Sequence, residues 1–326
     1  MRAGIIGIGS YVPDKVISNF DLEKIVDTSN DWIVERTGIS NRRKADYNIC
    51  SSDLGAEAAK YAIKDADLKP EDIDLIISAS SSPDRIFPAT ACIIQKKIGA
   101  KNAAALDIQA ACSGFIYALT TATQYIMTGQ YKNVLVVGSE VLSKLTDWED
   151  RNTCVLFGDG AGAVVLSGVE DGGVLASILG ADGDGSELLE LPAGGTKEPA
   201  SFDTIENRRH YIKMEGNEVF KFAVRIFEDC TKKVIEKSNL SLEDIDYIIP
   251  HQANIRIIEA AIKRLKFPRE RVVINLDKYG NMSSASIPVA LDEAFHSGKI
   301  KKGHKIVLVG FGAGLTWGAN LIDWSL

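Results

Sequence analysis

The hydrophobic pattern changes period repeatedly along the chain. Apolar residues recur every three or four positions in "SDLGAEAAKYAIKDADL" (52–68), "SGFIYALTTATQYIMTG" (113–129) and "VFKFAVRIFEDCTKKVIEKSNL" (219–240). That spacing predicts helices with one buried face. Short β-rich runs alternate with them: "IDLIISAS", "NVLVVGS", "AGAVVLSG", "IDYIIPH" and "KIVLVGFG", each bounded by Gly, Pro, Asp or Ser. Strands alternating with helices predict βαβ units and buried sheets, an α/β fold.

Part of the pattern occurs twice. "LKPEDIDLIISA" at 68–79 returns as "LSLEDIDYIIPH" at 240–251, an offset of 172 residues. "AIKDADL" at 62–68 matches "VIEKSNL" at 234–240, and "NVLVVG" at 133–138 matches "KIVLVG" at 305–310, in the same register. Three blocks in one order and register predict a fused duplication. The expected halves are residues 1–170 and 171–326, joined near "SGVEDGGV". Two such halves stack naturally into a layered α/β/α/β/α arrangement. Between the repeated blocks "GADGDGSELLELPAGGTKEPASFDTIENRRH" (180–210) reads as a long insertion loop, where function often sits.

Composition narrows the chemistry. The 326 residues, 45% hydrophobic and 25% charged, suit a globular protein with a real core. A net charge of −7 argues against nucleic-acid binding as the general business of the surface. No apolar run reaches the ~18 residues of a membrane span. The N-terminal "MRAGIIGIGSYVPD" meets Gly, Ser and Pro too early for a secretory leader, so a cytoplasmic location is expected. Five cysteines stand at 50, 92, 112, 154 and 230, with no C-x-x-C pair, and four histidines are scattered. Neither a disulfide framework nor a metal site is predicted.

Of the cysteines, Cys112 has the most useful setting, between the apolar run "AAALDIQAA" and a helix-periodic stretch. A thiol at a strand-to-helix corner meets N-terminal backbone N–H groups, which can lower its pKa. Cys50 lies in polar sequence, with Ser51, Ser52 and Asp53 to cap a helix. Cys92 and Cys230 read as core fillers of helices, and Cys154 as buried in a strand. A small buried corner residue remains the plain alternative for Cys112. His251 ends a strand, where open α/β sheets build sites. His210, His296 and His304 lie in charged or turn-like sequence. Asn281, by the offset of 172, matches Gln109, three residues before Cys112. The duplication would then bring a thiol on one sheet end to face an imidazole and a carboxamide on the other.

"DIQAACSGF", "PHQANIRI", "YGNMSSASIP" and "GFGAGLTWGA" resemble the thiolase-fold condensing enzymes, and most of all the β-ketoacyl-acyl carrier protein synthase III family. The likeness runs from "DWIVERTGI" to the last strand. It implies a decarboxylative Claisen condensation that initiates type II fatty-acid synthesis. In that reaction Cys112 takes an acyl group from acyl-CoA, and His251 and Asn281 serve the decarboxylation of malonyl-acyl carrier protein. It also implies an oxyanion site from the backbone N–H groups of Cys112 and Ala313. CoA contacts would come from Thr28, Trp32, Arg36, Arg151 and Asn254. The acyl pocket would use Leu156, Phe157 and Phe87, the last donated by the partner of a homodimer. Arg256, Lys263 and Arg264 would dock the acidic carrier protein. The scheme requires no metal and no cofactor beyond the CoA thioester substrate.

Other readings stay open at this stage. A relative in a polyketide-type pathway, or one using malonyl-CoA, would carry the same motifs. "GIIGIGSYVP" (4–13) invites a dinucleotide-binding oxidoreductase, but the third Gly is missing and Pro13 falls where a helix should run. A Thr28–Asp31 capping pattern would make Trp32 a mere helix anchor.

Overall fold

A computed structural model describes residues 2–326. The elements that matter here are nine strands and seven helices. The strands are β1 (Arg2–Tyr11), β2 (Leu75–Ala79), β3 (Ala104–Ile108), β4 (Val134–Val141), β5 (Asp159–Val169), β6 (Gly173–Ala181), β7 (Tyr247–Pro250), β8 (Lys305–Gly312) and β9 (Thr316–Asp323). The helices are α1 (Asn30–Thr37), α2 (Ser51–Asp65), α3 (Thr90–Ile98), α4 (Gly114–Met127), α5 (Gly216–Lys237), α6 (Ile255–Leu265) and α7 (Ser286–His296).

Two mixed sheets form. The first has the order β1-β5-β4-β2-β3 and the second β7-β8-β9-β6. β2 runs parallel to both β3 and β4, while β5 is antiparallel to β4 and β1. In the second sheet β7 and β8 are parallel, and β9 is antiparallel to β8 and β6. The chain passes from one sheet to the other between Val169 and Gly173. Every residue of β4 is buried, because helices cover both faces. That is why this strand reads as a continuous apolar run instead of an alternating one.

Three buried clusters set the layers. Helices α2 and α3 cover the outer face of the first sheet through Ala58, Ala59, Ile94, Leu135 and Val165. Helices α5 and α6 cover the outer face of the second through Phe227, Val234, Ile258, Val307 and Leu321. Between the sheets α4 and α7 form the middle layer, with Phe115, Leu119, Ile287 and Leu291 packed among Val136, Val164, Ile249 and Leu308. The result is the α/β/α/β/α stack.

The internal repeat is visible in the backbone. The 3-10 turn Ala111–Ser113 precedes α4, and its counterpart Ser283–Ala285 precedes α7, each at the 172-residue offset. Both turns open on a non-glycine residue with positive φ, Ala111 at 45° and Ser283 at 43°. Such a conformation costs on the order of 1 kcal/mol and persists only where neighbours enforce it. The copies are not equal, however. The first sheet has the fifth strand β3, whereas the second has only an isolated bridge from Ile248 to Val272 in its place.

Strand glycines allow the two turns to approach. A Cβ on Gly138 of β4 would lie 2.4 Å from Ser284 O, and one on Gly312 of β8 would lie 2.8 Å from Cys112 Cβ. Gly7 and Gly9, read above as a hint of nucleotide binding, serve packing: a Cβ on either would strike the α2 backbone at Ala62. No phosphate-binding helix follows β1, which leads instead into the short strand Val16–Ser18. No helix among the described residues is long and apolar enough to cross a membrane.

Local expectations were corrected in two places. Cys154 ends a short helix, Arg151–Cys154, not a strand, although it is fully buried. Cys92 is exposed, because α3 turns that face outward. We expect Gly138→Ala to lower stability by ~1–3 kcal/mol through the clash with the Ser284 backbone. Gly183→Ala, with open space around it, should stay within about 0.5 kcal/mol of wild type. Urea unfolding of the two variants checks this; equal stabilities would refute the packing argument.

Candidate active site

The turn Ala111–Ser113 holds Cys112 at the end of β3 and the start of α4, 7% exposed. A hydrogen-bond knot fixes it against the second half. Ser113 Oγ lies 2.7 Å from Ala110 O and 2.8 Å from Thr316 Oγ1, and the Thr316 hydroxyl reaches Ala110 O at 3.0 Å and Ala313 O at 2.8 Å. The Cys112 turn and the "GFGAG" loop are therefore tied through one threonine. Ala313 lines the same inner cavity as Cys112.

His251 follows β7, 1% exposed, and its N–H donates to Val309 O at 2.8 Å. Gln252 fastens that strand end: its amide donates to Pro250 O and Val273 O, and its Oε1 accepts from Asn275 N at 3.0 Å. The His251 ring meets Phe311 edge-on, centroids 5.6 Å apart. Its Nδ1 is buried with no hydrogen-bond partner among the described residues. Burial without a compensating acid pushes the imidazole down from 6.5 to about 3. At neutral pH the ring is uncharged and acts as an N–H donor.

Asn281 is held from both sides, accepting from Gly158 N at 3.0 Å and donating to Leu156 O at 2.9 Å through its backbone. The preceding Gly280 has φ +68°, and a Cβ there would strike Leu156 O at 2.7 Å. Asn281 Oδ1 accepts from Ser283 N at 2.8 Å. That bond fixes the amide orientation, because only the oxygen can accept, and leaves the NH₂ group free to donate elsewhere. The mirror positions have diverged: Ala79 stands opposite His251, Gln109 opposite Asn281 and Ser284 opposite Cys112 by the same offset.

Two cavities meet at the thiol. A tunnel of about 190 Å³ is lined by Trp32, Arg36, Cys112, His251, Asn254 and Asn281, with Leu156 and Phe157 on its wall. An inner pocket of about 150 Å³ lies beyond, with Cys112, Leu142, Leu145, Phe157, Ile212 and Ala313 around it. Sulfur, imidazole and carboxamide thus share one chamber.

The electrostatics differ from the sequence expectation. A lowered thiol pKa was anticipated, but burial pushes Cys112 up to about 12, with Ser283 hydrogen bonding opposing the rise and the Glu140 charge adding to it. The reason is positional: α4 begins only at Gly114, two residues later, and the residue is buried. The resting pair is a neutral thiol beside a neutral imidazole.

The mouth is cationic and aromatic. The Arg151 guanidinium lies 4.1 Å over the Trp32 ring and that of Arg36 lies 6.0 Å away. Asn254 Oδ1 caps α6 by accepting from Arg256 N at 2.8 Å, while its Nδ2 donates to Arg36 O at 3.0 Å. Thr28 departs from expectation. The N-cap of α1 is Ser29, whose hydroxyl accepts from Trp32 N, so Thr28 falls outside the helix. Its hydroxyl is buried without a partner among the described residues, and it does not line the tunnel. Phe87 lines neither cavity and is 83% exposed. On α6, Arg256, Lys263 and Arg264 are exposed, with Arg264 3.4 Å from Glu228.

Several contributors escaped the sequence reading. Met214, Val219, Phe220 and Phe222 close the tunnel. Buried Arg42 donates to Ile17 O, Asn19 Oδ1 and Val155 O, bracing the segment before Leu156. Leu189 and Leu191, from the insertion, wall the inner pocket. No group of His, Cys, Asp and Glu among the described residues could hold a metal.

Fold and site define a thiol-dependent condensing acyltransferase on a thiolase-like scaffold. Residues 106–183 match the 3-oxoacyl-[acyl-carrier-protein] synthase III family, and residues 235–324 match that family's C-terminal region. A β-ketoacyl-[acyl-carrier-protein] synthase III of Caldanaerobacter subterraneus is 60% identical over 326 residues, covering 100% of this chain and 98% of that one. Its counterpart in Clostridioides difficile is 55% identical over 325 residues, covering 100% and 99%. The crystal structure of the Aquifex aeolicus 3-oxoacyl-[acyl-carrier-protein] synthase III superposes with a TM-score of 0.91 at 49% identity, covering 99% of this chain and 100% of that one. This chain belongs to the β-ketoacyl-acyl carrier protein synthase III family, the initiating condensing enzymes of fatty-acid synthesis.

The neutral imidazole makes a prediction. The His251 ring should show no protonation in NMR between pH about 8 and about 4, since its pKa is depressed by burial. Titration near 6.5 would remove the desolvated donor from the scheme.

Proposed function

We propose that the chain joins an acyl primer from acyl-CoA to malonyl-acyl carrier protein by decarboxylative Claisen condensation. The single observation behind this is the shared chamber of Cys112, His251 and Asn281. In the first half-reaction the Cys112 sulfur bonds to the acyl carbonyl carbon, the C–S bond to CoA breaks, and CoA leaves as a thiol. Developing negative charge on the carbonyl oxygen is met by the backbone N–H groups of Cys112 and Ala313.

In the second half-reaction malonyl thioester loses CO2, and the electron pair of the broken C–C bond moves into an enolate. His251 and Asn281 N–H groups donate to the enolate oxygen. Two neutral donors in a desolvated chamber suit this charge, because they stabilise it without a competing ion. The nucleophilic carbon then attacks the Cys112 thioester. Cys112 leaves and takes up one proton, releasing β-ketoacyl-carrier protein. No metal or cofactor enters the scheme.

Trp32, Arg36, Arg151 and Asn254 are assigned to CoA: guanidinium groups suit phosphates and an indole suits a purine. Thr28 keeps at most a place beside that mouth. Leu156, Phe157 and the inner pocket receive the acyl chain. A homodimer completes it, with the exposed Ile86–Phe87 tip entering the partner's pocket; the tip and the half-exposed edge strand β3 support this reading. A carrier-protein substrate puts the reaction in the cytoplasm. A priming synthase of a polyketide pathway is the second reading, favoured by the crystal structure of the R1128 priming β-ketosynthase at 32% identity and a TM-score of 0.92, covering 99% of this chain and 96% of that one. Rates with acetyl-, butyryl- and isobutyryl-CoA, each with carrier-bound and CoA-bound malonate, separate the two.

Incubation with acetyl-CoA should leave an acetyl group on Cys112 in peptide mass mapping, and none on the half-buried Cys50. His251→Ala should retain that acylation and lose decarboxylation by ~10²-fold or more; equal loss of both would make His251 mainly an activator of the thiol. The double reversal Arg256→Glu with Arg264→Glu should raise KM for malonyl-carrier protein ~10-fold and leave acylation by acetyl-CoA unchanged. An unchanged KM would remove α6 from carrier docking.

A further inference from the structure

Glu293, a half-buried carboxylate on α7, has no part in the steps above. Tyr279 Oη donates to its Oε1 at 2.6 Å, and Asn275 Nδ2 donates to its Oε2 at 2.9 Å. Lys278 Nζ lies 3.7 Å from Oε1 on the exposed side. A carboxylate only accepts, so both neighbours are fixed as donors. Burial and the carboxylate together push the Tyr279 phenol up to about 12, which keeps its proton in place at neutral pH.

Each oxygen of Glu293 leads to a different member of the chamber. Tyr279 stands two residues before Asn281, in the turn whose Gly280 presses on Leu156 O. The Tyr279 carbonyl packs on Gly158, where a Cβ would lie 2.3 Å away. Asn275 N donates to Gln252 Oε1 at 3.0 Å, and Gln252, directly after His251, grips Pro250 O and Val273 O. One carboxylate thus spans the strand end that carries His251 and the turn that carries Asn281.

The mirror half is built differently. By the 172-residue offset, Asn275, Tyr279 and Glu293 correspond to Ala103, Asp107 and Thr121. Asp107 caps α3, accepting from Thr90 N at 2.6 Å and Ala91 N at 2.8 Å, and the Thr121 hydroxyl donates to Tyr117 O within α4. The half that presents sulfur from a backbone turn has other uses for these positions. The half that presents two side-chain donors has the bracket.

We propose that Glu293 is a positioning residue for decarboxylation, setting the spacing between the His251 and Asn281 donors. The enolate oxygen has to meet both N–H groups at once, and a misplacement of about 1 Å can cost ~10²-fold in rate. Acylation of Cys112 draws on backbone N–H groups instead, so loss of the bracket falls on one half-reaction. Glu293→Gln keeps the bracket: the new amide oxygen accepts from Tyr279, and its NH₂ serves Asn275 Oδ1, buried without a partner among the described residues, once the Asn275 amide turns over.

This inference rests on the decarboxylating role assigned above to His251 and Asn281. The test follows two readouts in single turnover: acetyl-Cys112 formation from acetyl-CoA, and CO2 release from malonyl-acyl carrier protein by the acetylated enzyme. Glu293→Ala should slow CO2 release ~10-fold or more at saturating carrier protein, with KM and the acetylation rate within about twofold of wild type. Tyr279→Phe, which cuts only the arm to Asn281, should show the same split. Glu293→Gln should recover most of the loss. CO2 release at the wild-type rate in both Glu293→Ala and Tyr279→Phe overturns the bracket. Equal slowing of acetylation and CO2 release also overturns it, as a general loss of structure. Glu293→Gln as slow as Glu293→Ala overturns it too, since the charge and not the bonding would then matter. A wild-type enzyme that is acetylated but releases no CO2 from malonyl-acyl carrier protein would instead overturn the reaction assignment itself.

Discussion

Everything in this molecule depends on how closely two turns can be pressed onto two sheet ends. The Ala111–Ser113 turn of one half lies against β8 of the other, and the Ser283–Ala285 turn lies against β4. Only glycine permits either approach, since a side chain on Gly312 or Gly138 would overlap backbone or the nucleophile. The positive φ of Ala111 and Ser283 is the local cost of the same fit. Crossed packing of this kind needs both halves folded together. It explains why a thiol from one half and two donors from the other can be held in a single chamber without any metal or disulfide to bind them.

The chamber works by removing water more than by adding charge. His251 and Cys112 are both driven to their neutral forms by burial. A neutral imidazole and an oriented carboxamide then point donors at a site where charge will develop, which is where pre-set dipoles act most strongly. The one carboxyl buried nearby, Glu140, is wrapped in serine and backbone donors. Those donors come from the segment after β2 and from the catalytic turn of the second half, so the same contacts that hold the halves together also solvate the acid.

The duplication, the layer order and the three side chains that share the chamber were legible because each leaves a local mark. The repeat is an in-register pattern, the buried strands are apolar runs, and Cys112, His251 and Asn281 each sit at a strand-to-helix or strand-end punctuation. What stayed hidden depends on distance in space. The thiol pKa was misjudged because helix position is local, whereas desolvation depends on every chain segment around it. Glu140 reads as an ordinary polar residue after "VVGS", and only the fold reveals the donors converging on it. Thr28 looked like a cap because Thr and Ser are adjacent, and the backbone chose Ser29. The tunnel wall from Met214 to Phe222 is spread over a two-residue strand and a helix whose apolar residues also fill core.

The sulfur stands where the tunnel opens into the inner pocket, with Phe157 and Leu189 shared by both spaces. A chain attached to that sulfur can withdraw inward, out of the path by which it came. The corridor is then vacant for a second thioester. Storage beyond the sulfur lets a single corridor serve two visitors in turn, so the first group need not be carried past the second.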